Sequence, residues 1–397
     1  MWQGRSVVLG VAGGIAAYKS VILARELARR GAQVDVVLSR GAGEFVGAAS
    51  FEAITRRPVR RSLWEPGTAL DHLSLSRAAD LVIVAPATAH LLARAAAGFA
   101  DDLLTALLLA STTPVLAAPA MNDDMFAHPA TRANLATLLQ RGWCIVGPAI
   151  GDLAEGPSDR PGRMAEPDEI ISHAARLLHR QGPLAGRRVV VTAGPTRESI
   201  DPVRVVTNRS SGRMGFRLAQ AAWERGADVI LISGPSREAA PPGVDVVRVE
   251  TTAQMAGAVG DHLVGTDVLI MAAAPSDYRP AQAHPEKLAR RDGALHIDLE
   301  PTEDILETTR RRRPPAMTVV GFALETGDAV EKATRKLHHK GLDIIVANDA
   351  LAAGAGFEVD TNAVTIIDRS GTTRSISLRD KRAVADAILD FVEQYRG

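Results

Sequence analysis

The fold of this chain is decided by a strand-to-helix turn near its start, which reads Ser6-Val-Val-Leu-Gly-Val-Ala-Gly-Gly-Ile-Ala-Ala-Tyr18. An apolar run ends in glycine and a helical pattern follows, so backbone N–H groups at the helix start could meet a phosphate. A related turn recurs at Arg188-Val-Val-Val-Thr-Ala-Gly-Pro-Thr196. Each is either a nucleotide site or only a tight turn, and together they offer two candidate sites in one chain.

Outward from these turns, short Val/Ile/Leu runs alternate with helical segments along the whole chain. Continuous apolar strands between helices are typical of parallel sheets that are covered on both faces. The predicted fold class is α/β, with two doubly wound Rossmann-like domains. Chain breakers in Gln181-Gly-Pro-Leu-Ala-Gly186 predict a linker over 181–187, between a first domain at 1–180 and a second at 188–397.

The predicted elements can be compared directly with the structure. The predicted strands are 6–11, 33–38, 80–85, 114–117, 143–146, 188–193, 228–232, 245–249, 267–271, 318–322 and 343–347, with a hairpin at 364–368 and 374–378. The predicted helices are 15–30, 101–110, 131–141, 168–180, 213–225, 253–264 and 328–340, with a closing helix after the hairpin.

The composition is that of an ordinary soluble enzyme. Its 397 residues are 46% hydrophobic and 23% charged, which is enough apolar material for two cores. Forty-six basic residues balance 46 acidic ones, so no global field attracts nucleic acid or an anionic membrane, and small-molecule ligands are expected. The single cysteine, Cys144, excludes an intramolecular disulfide and suits the cytoplasm. No transmembrane segment is expected.

Polar residues follow several strands of the first domain. Ser39 ends one strand, Thr88 lies in Ala-Pro-Ala-Thr88, and Asn122 lies in Pro-Ala-Met-Asn122. Ligands bind at the carboxyl ends of such strands, so these residues mark a candidate site beside the first glycine turn. His72 lies in Asp-His72-Leu-Ser-Leu, and a lone histidine of this kind is more often structural than catalytic.

The motifs of this half, in order, resemble those of the flavin-dependent cysteine decarboxylases: GGIAAYK, DHLSL, APATA, GxADDLL, PAMNxxM and GRMAEP. Within that group they are similar to the amino-terminal half of the bifunctional phosphopantothenoylcysteine decarboxylase/phosphopantothenate–cysteine ligases of bacterial coenzyme A synthesis. In that chemistry a flavin oxidises the substrate to a thioaldehyde and loss of CO₂ leaves an enethiolate, so the site needs a flavin, an imidazole and amide donors. The site residues implied by the resemblance are Gly13, Gly14, Ser39 and Thr88 for FMN, His72 as the active-site histidine, and Asn122 for the substrate carboxylate.

The chain departs from this family pattern at His90, at Phe126 and in a flap before GRM. The family's flap carries a cysteine that is thought to protonate the enethiol, and Glu155 aligns with it here, with about one residue added. Two interpretations remain open. A buried, protonated Glu155 replaces the thiol as acid, or reduction fails and the reaction stops at the oxidised enethiol.

The second domain carries its own polar motifs. Arg204 and Asn208 precede a Ser-Ser-Gly212 turn at a predicted helix start, which is either an anion cradle or a helix N-cap. Asp277 follows a strand, where a Mg²⁺ or ribose ligand is expected. Lys336 and Lys340 share one helical face, for which an exposed basic surface is the ordinary explanation.

These motifs resemble the ligase half of the same bifunctional family: AGPTRExIDPVRxxTNxSSGxMG, PSDYRP, PEK, GFALET, TRKLxxKxxDxIVAND and GFxxDxN. The resemblance implies CTP-dependent joining of phosphopantothenate and cysteine through an acyl-cytidylate. The residues implied around CTP and Mg²⁺ are Asp277, Lys287, Phe322, Lys336 and Lys340, with Asp277 as the metal ligand, and those implied at the acyl group are Asn208 and Arg204. Cations and Mg²⁺ would neutralise charge at phosphorus while an amide fixes the acyl group.

The sequence thus favours a cytoplasmic, two-domain enzyme of coenzyme A synthesis that binds FMN, CTP and Mg²⁺. Two alternatives remain: a paralogue that acts as an oxidative decarboxylase or ligase on another cysteine-terminated substrate, and a flavin-binding regulatory scaffold. The resemblance also implies a homo-oligomer, a dodecamer that combines flavin-domain trimers with ligase-domain dimers.

Overall fold

A computed structural model describes residues 1–64, 68, 70–289, 295–325, 327–349 and 359–397. Thr326, Gly356 and Phe357, which belong to two of the quoted motifs, lie outside the described residues. The chain divides into two units, Met1–His179 and Arg180–Gly397.

The first unit is built around a parallel sheet in the order β2-β1-β3-β4-β5. Its strands are β1 (Ser6–Val11), β2 (Gln33–Leu38), β3 (Leu81–Ala87), β4 (Val115–Pro119), β5 (Cys144–Ile145), β6 (Ala149–Ile150) and β7 (Pro161–Arg163). Its helices are α1 (Ala17–Arg29), α2 (Ala48–Thr55), α3 (Asp71–Ala78), α4 (Ala89–Ala97), α5 (Leu103–Ala110), α6 (Asp123–Ala127), α7 (Pro129–Gln140) and α8 (Pro167–Leu178), with a 3₁₀ helix at Arg40–Glu44. All seven residues of β3 are buried because helices cover both sheet faces. The strand order reverses between β1 and β3, which creates a crevice at the carboxyl ends of these strands.

The second unit contains a sheet in the order β12-β11-β8-β13-β16-β17-β18-β19, in which β18 runs antiparallel to both of its neighbours and the other strands run parallel to one another. Its strands are β8 (Arg188–Ala193), β9 (Arg197–Ser199), β10 (Val205–Thr207), β11 (Asp228–Ser233), β12 (Asp245–Arg248), β13 (Val268–Met271), β14 (Tyr278–Pro280), β15 (Leu299–Pro301), β16 (Thr318–Glu325), β17 (Ile344–Asp349), β18 (Thr361–Asp368) and β19 (Thr373–Asp380). Its helices are α9 (Arg213–Glu224), α10 (Thr252–Asp261), α11 (Ile305–Thr309), α12 (Ala329–His339) and α13 (Lys381–Arg396), with a 3₁₀ helix at Arg310–Arg312.

Both units confirm the predicted α/β class, and the predicted final hairpin is present as β18 and β19. The differences lie in short elements. The pairs β9/β10 and β14/β15 are three-residue strands whose pairing depends on tertiary contacts, so no periodic pattern marks them. No helix in the described part of the chain has the length and apolar character to cross a membrane.

Candidate active sites

A cleft of 1440 Å³ opens at the carboxyl ends of β1, β3 and β4 in the first unit. It is larger than most small-molecule pockets, which measure about 300–1,000 Å³. The residues predicted from sequence that line it are Gly13, Gly14, Ser39, Thr88, Asn122 and Glu155. Their segments are far apart in the chain, and the parallel topology brings them together.

The floor of this cleft depends on a close backbone crossing at Gly13. A Cβ atom there would lie 2.5 Å from the carbonyl carbon of Gly41 and 2.7 Å from its oxygen. Ser39 and Thr88 serve as helix caps: Ser39 accepts from the Ala42 N–H at 3.3 Å and Thr88 from the Leu91 N–H at 3.4 Å. Their hydroxyl groups are therefore fixed beside the glycine turn.

The N-terminus of α1 follows the glycine pair. Its N-cap is Ala16, and among the described residues no side chain caps this helix and no acidic residue lies in its first turn. The Ala17 and Lys19 N–H groups donate to the Gly14 and Ala16 carbonyls, at 2.9 Å and 3.0 Å, so backbone turns already engage part of this terminus. The size of the cleft fits a phosphorylated flavin.

Asn122 and Glu155 lie together in the cleft. The side-chain oxygen of Asn122 accepts from the N–H groups of Asp124 (2.8 Å) and Met125 (3.3 Å), so it caps α6, and its Nδ2 donates to Glu155 Oε1. This assigns the amide orientation, because only the NH₂ group can donate to a carboxylate. Glu155 itself is exposed to solvent. The burial required for a protonated Glu155 is therefore absent in this conformation.

The flap that carries Glu155, residues 151–163, is tied to the start of α6. Ser158 Oγ donates to Asp123 Oδ2 at 2.6 Å, and the Arg160 guanidinium lies 2.9 Å from Asp123 and 2.8 Å from Asp124. The hydrogen bond from Ser158 and the charge of Arg160 hold the pKa of Asp123 below its usual value. Gly162 is packed so closely that a Cβ atom would lie 2.7 Å from the Met121 oxygen.

Three further cleft residues escaped the sequence prediction: Lys19, His90 and Arg94. Lys19 is only 5% exposed, and its Nζ donates to the Met164 carbonyl at 3.2 Å and to Glu166 at 2.8 Å. It belongs to the GGIAAYK motif, which was the available signal. Arg94 forms ion pairs with both aspartates of the GxADDLL motif.

His72 is not among the residues that line this cleft. It lies in the first turn of α3, and its Nδ1 atom is buried with no hydrogen-bond partner among the described residues. The predicted catalytic histidine is therefore not part of the cleft lining that the other predicted residues of the first unit share.

The second unit has a polar cleft of 650 Å³ beside the carboxyl ends of β8 and β11. Asn208 lines it, together with the cluster Arg197, Arg209, Arg213, Arg237 and Arg248. The adjoining helix α9 has Gly212 as its N-cap with φ +82°. Ser211 Oγ accepts from the Arg213 N–H at 3.4 Å and Ser210 Oγ from the Gly212 N–H at 3.3 Å, so the serine hydroxyls engage this helix start and both the anion cradle and the N-cap remain open.

Glycine is required where the two strand ends meet beneath this cleft. A Cβ atom at Gly234 would lie 1.8 Å from the Pro195 oxygen, and one at Gly215 would lie 2.5 Å from Ala193 Cβ. The helix start therefore contacts the sheet edge directly.

Asn208 and Arg204 hold neighbouring loops in place. Asn208 Nδ2 donates to the carbonyls of Ala274 and Pro275, both at 2.9 Å. Arg204 forms an ion pair with the buried Asp201 at 2.5 Å and donates to the Leu288 carbonyl at 2.7 Å. Arg204 is not among the residues that line the 650 Å³ cleft. Its hydrogen bonds hold the pKa of Asp201 well below the usual range.

The residues predicted around CTP lie outside the 650 Å³ cleft. Asp277 and Lys287 are exposed. Lys336 Nζ donates to the Phe322 carbonyl at 3.2 Å, whereas Lys340 forms ion pairs with Asp304 and Glu307. No cluster of three or more His, Cys, Asp or Glu suited to a metal occurs among the described residues. Mg²⁺ commonly uses one or two carboxylates plus substrate phosphates, so the exposed Asp277 fits such a site.

Family models cover both units: the Flavoprotein model matches residues 1–179, and the model for the DNA/pantothenate metabolism flavoprotein C-terminal domain matches residues 184–395. The coenzyme A biosynthesis bifunctional protein CoaBC of Vibrio cholerae is 43% identical over 98% of each chain. That of Mycobacterium tuberculosis is 45% identical over 98% of this chain and 96% of its own. A solved C-terminal domain of a CoaBC protein is 40% identical and covers 53% of this chain and 96% of that chain, with a TM-score of 0.46. The chain therefore belongs to the family of bifunctional coenzyme A biosynthesis proteins.

Proposed function

We propose that this chain catalyses two successive steps of coenzyme A synthesis. The second unit joins cysteine to 4′-phosphopantothenate with CTP through an acyl-cytidylate. The first unit then decarboxylates 4′-phosphopantothenoylcysteine to 4′-phosphopantetheine with FMN. The observation that carries the proposal is the presence of two separate clefts at parallel sheet edges, each lined by one of the two asparagines that the motifs single out, Asn122 and Asn208.

In the first cleft FMN supplies the electron sink that oxidises the thiol-bearing carbon. The residues that would hold it are Gly13, Gly14, Ser39 and Thr88, with its phosphate at the start of α1. The Asn122 Nδ2 group orients the substrate carboxylate. It already donates to a carboxylate, that of Glu155, which is the type of group that the proposed substrate would present.

Glu155 thus has two candidate roles in this reaction. Substrate binding would displace it from Asn122, and a closed flap could then bury it as the acid that protonates the enethiolate. Alternatively it remains solvated and the first unit is an oxidative decarboxylase that releases the enethiol. The exposure of Glu155 supports this second candidate function.

In the second cleft Arg197 and Arg213 pair with Glu250 and Glu238, which also line it. The cluster members that would attract anionic substrate groups are Arg209, Arg237 and Arg248. Asn208 would fix the acyl group next to the nucleotide after its amide releases the Ala274 or the Pro275 carbonyl, and Asp277 would hold Mg²⁺ together with the CTP phosphates. Lys287 and Lys336 would neutralise charge that develops at the attacked phosphorus. Lys340 is engaged by two carboxylates and must leave them before it can contact CTP.

The position of His72 supports an oligomeric enzyme. Its imidazole is not among the residues that line the cleft of its own chain, while the glycine turn and helix α1 beside the cleft expose three apolar side chains, Ile15, Tyr18 and Ile22. Exposed apolar stripes of this kind are covered in assemblies. We therefore retain the dodecamer as a proposal, and a monomer in light scattering at micromolar concentration would contradict it.

Mass spectrometry of products made from CTP, cysteine and phosphopantothenate tests both steps in one assay. The expected products are CMP, the cysteine adduct and 4′-phosphopantetheine. The His72→Asn and Asn122→Asp variants should accumulate the cysteine adduct without CO₂ release, since their changes lie in the first unit. Absence of the adduct with the wild-type protein would refute the ligase assignment. A purified protein that binds no FMN on titration would refute the decarboxylase assignment.

The Glu155→Gln and Glu155→Cys variants separate the two roles of Glu155. If Glu155 is the acid, anaerobic reactions of Glu155→Gln should yield the enethiol with reduced flavin, whereas Glu155→Cys should complete the turnover. If the wild-type protein already releases only the enethiol, Glu155 is no acid and the first unit is an oxidative decarboxylase.

A further inference from the structure

The second unit contains a buried carboxylate, Glu198, that the proposed mechanism does not use. Glu198 lies in β9 between exposed neighbours and is only 5% exposed itself. Its Oε1 atom accepts two hydrogen bonds from Thr252, one from the backbone N–H at 2.8 Å and one from Oγ1 at 2.9 Å. Burial of a carboxylate is costly unless the group is well hydrogen-bonded, so this arrangement calls for a function.

Capping of helix α10 accounts for the hydrogen bond that Glu198 accepts from the Thr252 N–H, but not for the one that it accepts from the Thr252 hydroxyl. Thr252 is the first residue of α10, and that terminus already has a capping box: Thr251 Oγ1 accepts from the Gln254 N–H, and the Gln254 side chain accepts from the Thr251 N–H. Gln254 also accepts from the Glu250 N–H at 2.7 Å. Loss of Glu198 would leave these hydrogen bonds of Thr251 and Gln254 in place.

The hydrogen bonds of Glu198 instead start a directed chain. An ionised carboxylate can only accept, so the Thr252 hydroxyl proton points to Glu198, which is closer than its other acceptor, the Ser276 carbonyl at 3.3 Å. Thr252 Oγ1 must then accept from Thr196 Oγ1, 2.9 Å away. Thr196 Oγ1 in turn accepts from the Ser276 N–H at 2.9 Å. The order is Ser276 N–H to Thr196 to Thr252 to Glu198.

The donor end of this hydrogen-bond chain, the Ser276 N–H, lies in the loop 274–277, which also carries Asp277. Asn208 Nδ2 donates to the Ala274 and Pro275 carbonyls of the same loop. Thr302 Oγ1 donates to the Ser276 carbonyl at 2.6 Å. Thr207, next to Asn208, donates to the Thr196 carbonyl at 2.7 Å. One network therefore joins the residue proposed for the acyl group to the residue proposed for the metal and nucleotide.

We propose that Glu198 is a positioning residue for the cytidylyl-transfer step: its carboxylate fixes the direction of this hydrogen-bond chain and so holds Asp277 in register with Asn208. The inference rests on the ligase function proposed above. Misplacement of two reacting groups by about 1 Å can cost on the order of 100-fold in rate while ground-state binding changes little.

Kinetics of acyl-cytidylate formation test this with the variants Glu198→Ala and Thr252→Val. Each should lower kcat by about 10- to 100-fold, with the KM for CTP and for phosphopantothenate changed less than about threefold. Glu198→Gln keeps an acceptor oxygen and should recover most of the rate. The matched control is Gln254→Ala. It removes a cap from the same helix but leaves the hydrogen-bond chain from Ser276 to Glu198 intact, so it should retain the wild-type kcat.

Hydrogen exchange of the Ser276 amide gives a readout that does not depend on activity. The amide should exchange faster in Glu198→Ala and Thr252→Val, and at the wild-type rate in Gln254→Ala. Equal loss of kcat in Gln254→Ala and Glu198→Ala, or unchanged Ser276 exchange in Glu198→Ala, would overturn the proposal. A wild-type protein that forms no acyl-cytidylate would refute the ligase function, while the exchange measurement still decides whether Glu198 orders the loop.

Discussion

Replacement of Gly13 by alanine should disrupt the first cleft, and the size of the effect follows from the backbone crossing. The added Cβ would lie 2.5 Å from the Gly41 carbonyl carbon. Carbon atoms pack at about 3.5–4.0 Å, so one backbone segment must move by roughly 1 Å. Both contacting groups are main chain, and no rotamer change can relieve the contact. Overpacking of this kind costs about 1–3 kcal/mol.

Gly14→Ala is the matched control, one residue further along the same turn. Its Cβ would lie 3.4 Å from the terminal methyl group of Thr88, close to an ordinary contact. We expect Gly13→Ala to lower the melting temperature of the first unit by about 2–12 °C, given about 2–4 °C per kcal/mol for a unit of this size. Gly14→Ala should stay within about 2 °C of wild type.

Thermal unfolding and FMN titration of the full-length variants provide the assay. Movement of the segment that follows Ser39 would displace a wall of the cleft, so Gly13→Ala should also weaken FMN binding at least about tenfold, which corresponds to about 1.4 kcal/mol. Wild-type stability and FMN affinity in Gly13→Ala would refute the reasoning, as would equal destabilisation by the two substitutions.

The remaining predictions concern charged groups. Because the pKa of Asp201 is depressed in the folded state, its pairing stabilises the second unit above the unfolded value of about 4, and this stabilisation is lost progressively as pH falls from that value through the folded-state pKa. Urea unfolding at pH 7, 5 and 3 should show no loss from Asp201 between pH 7 and 5 and the onset of the loss between pH 5 and 3, and Asp201→Asn should remove that acid-dependent component. Lys340→Ala leaves Asp304 and Glu307 without their cation and should lower the melting temperature. Lys336→Ala breaks only a hydrogen bond to a carbonyl, so it should keep the melting temperature and weaken CTP binding in calorimetry. The reverse pattern would contradict these roles. Arg160→Ala removes the cation between Asp123 and Asp124 and should speed proteolysis within the flap without changing ligation, and an unchanged cleavage rate would argue against the tether.

Local patterns in the sequence were sufficient for the frame of this protein. Apolar runs such as Leu81–Ala87 mark buried parallel strands, because a strand covered on both faces has no need of polar alternation. The glycine turn after β1 marks the helix start at which the first cleft opens, whereas the glycine turn after β8 leads into β9 and α9 begins only at Arg213. Ser39, Thr88 and Asn122 could be assigned to one cleft because parallel topology gathers the ends of distant strands at one edge. Asn208 follows the antiparallel pair β9/β10 and was singled out only by its motif.

Contacts between distant segments were decided only by the tertiary structure. The sequence gives no sign that Glu155 meets Asn122, that Lys340 is occupied by carboxylates, or that His72 lies outside its own cleft, since each depends on how loops fold back over the sheet. The network from Glu198 to Ser276 joins three segments that share no local pattern, and short strands such as β9 have too few residues for periodicity to mark them. Hydrophobic periodicity reports which face of an element is buried, whereas hydrogen bonds between loops depend on three-dimensional distances that a linear pattern does not contain.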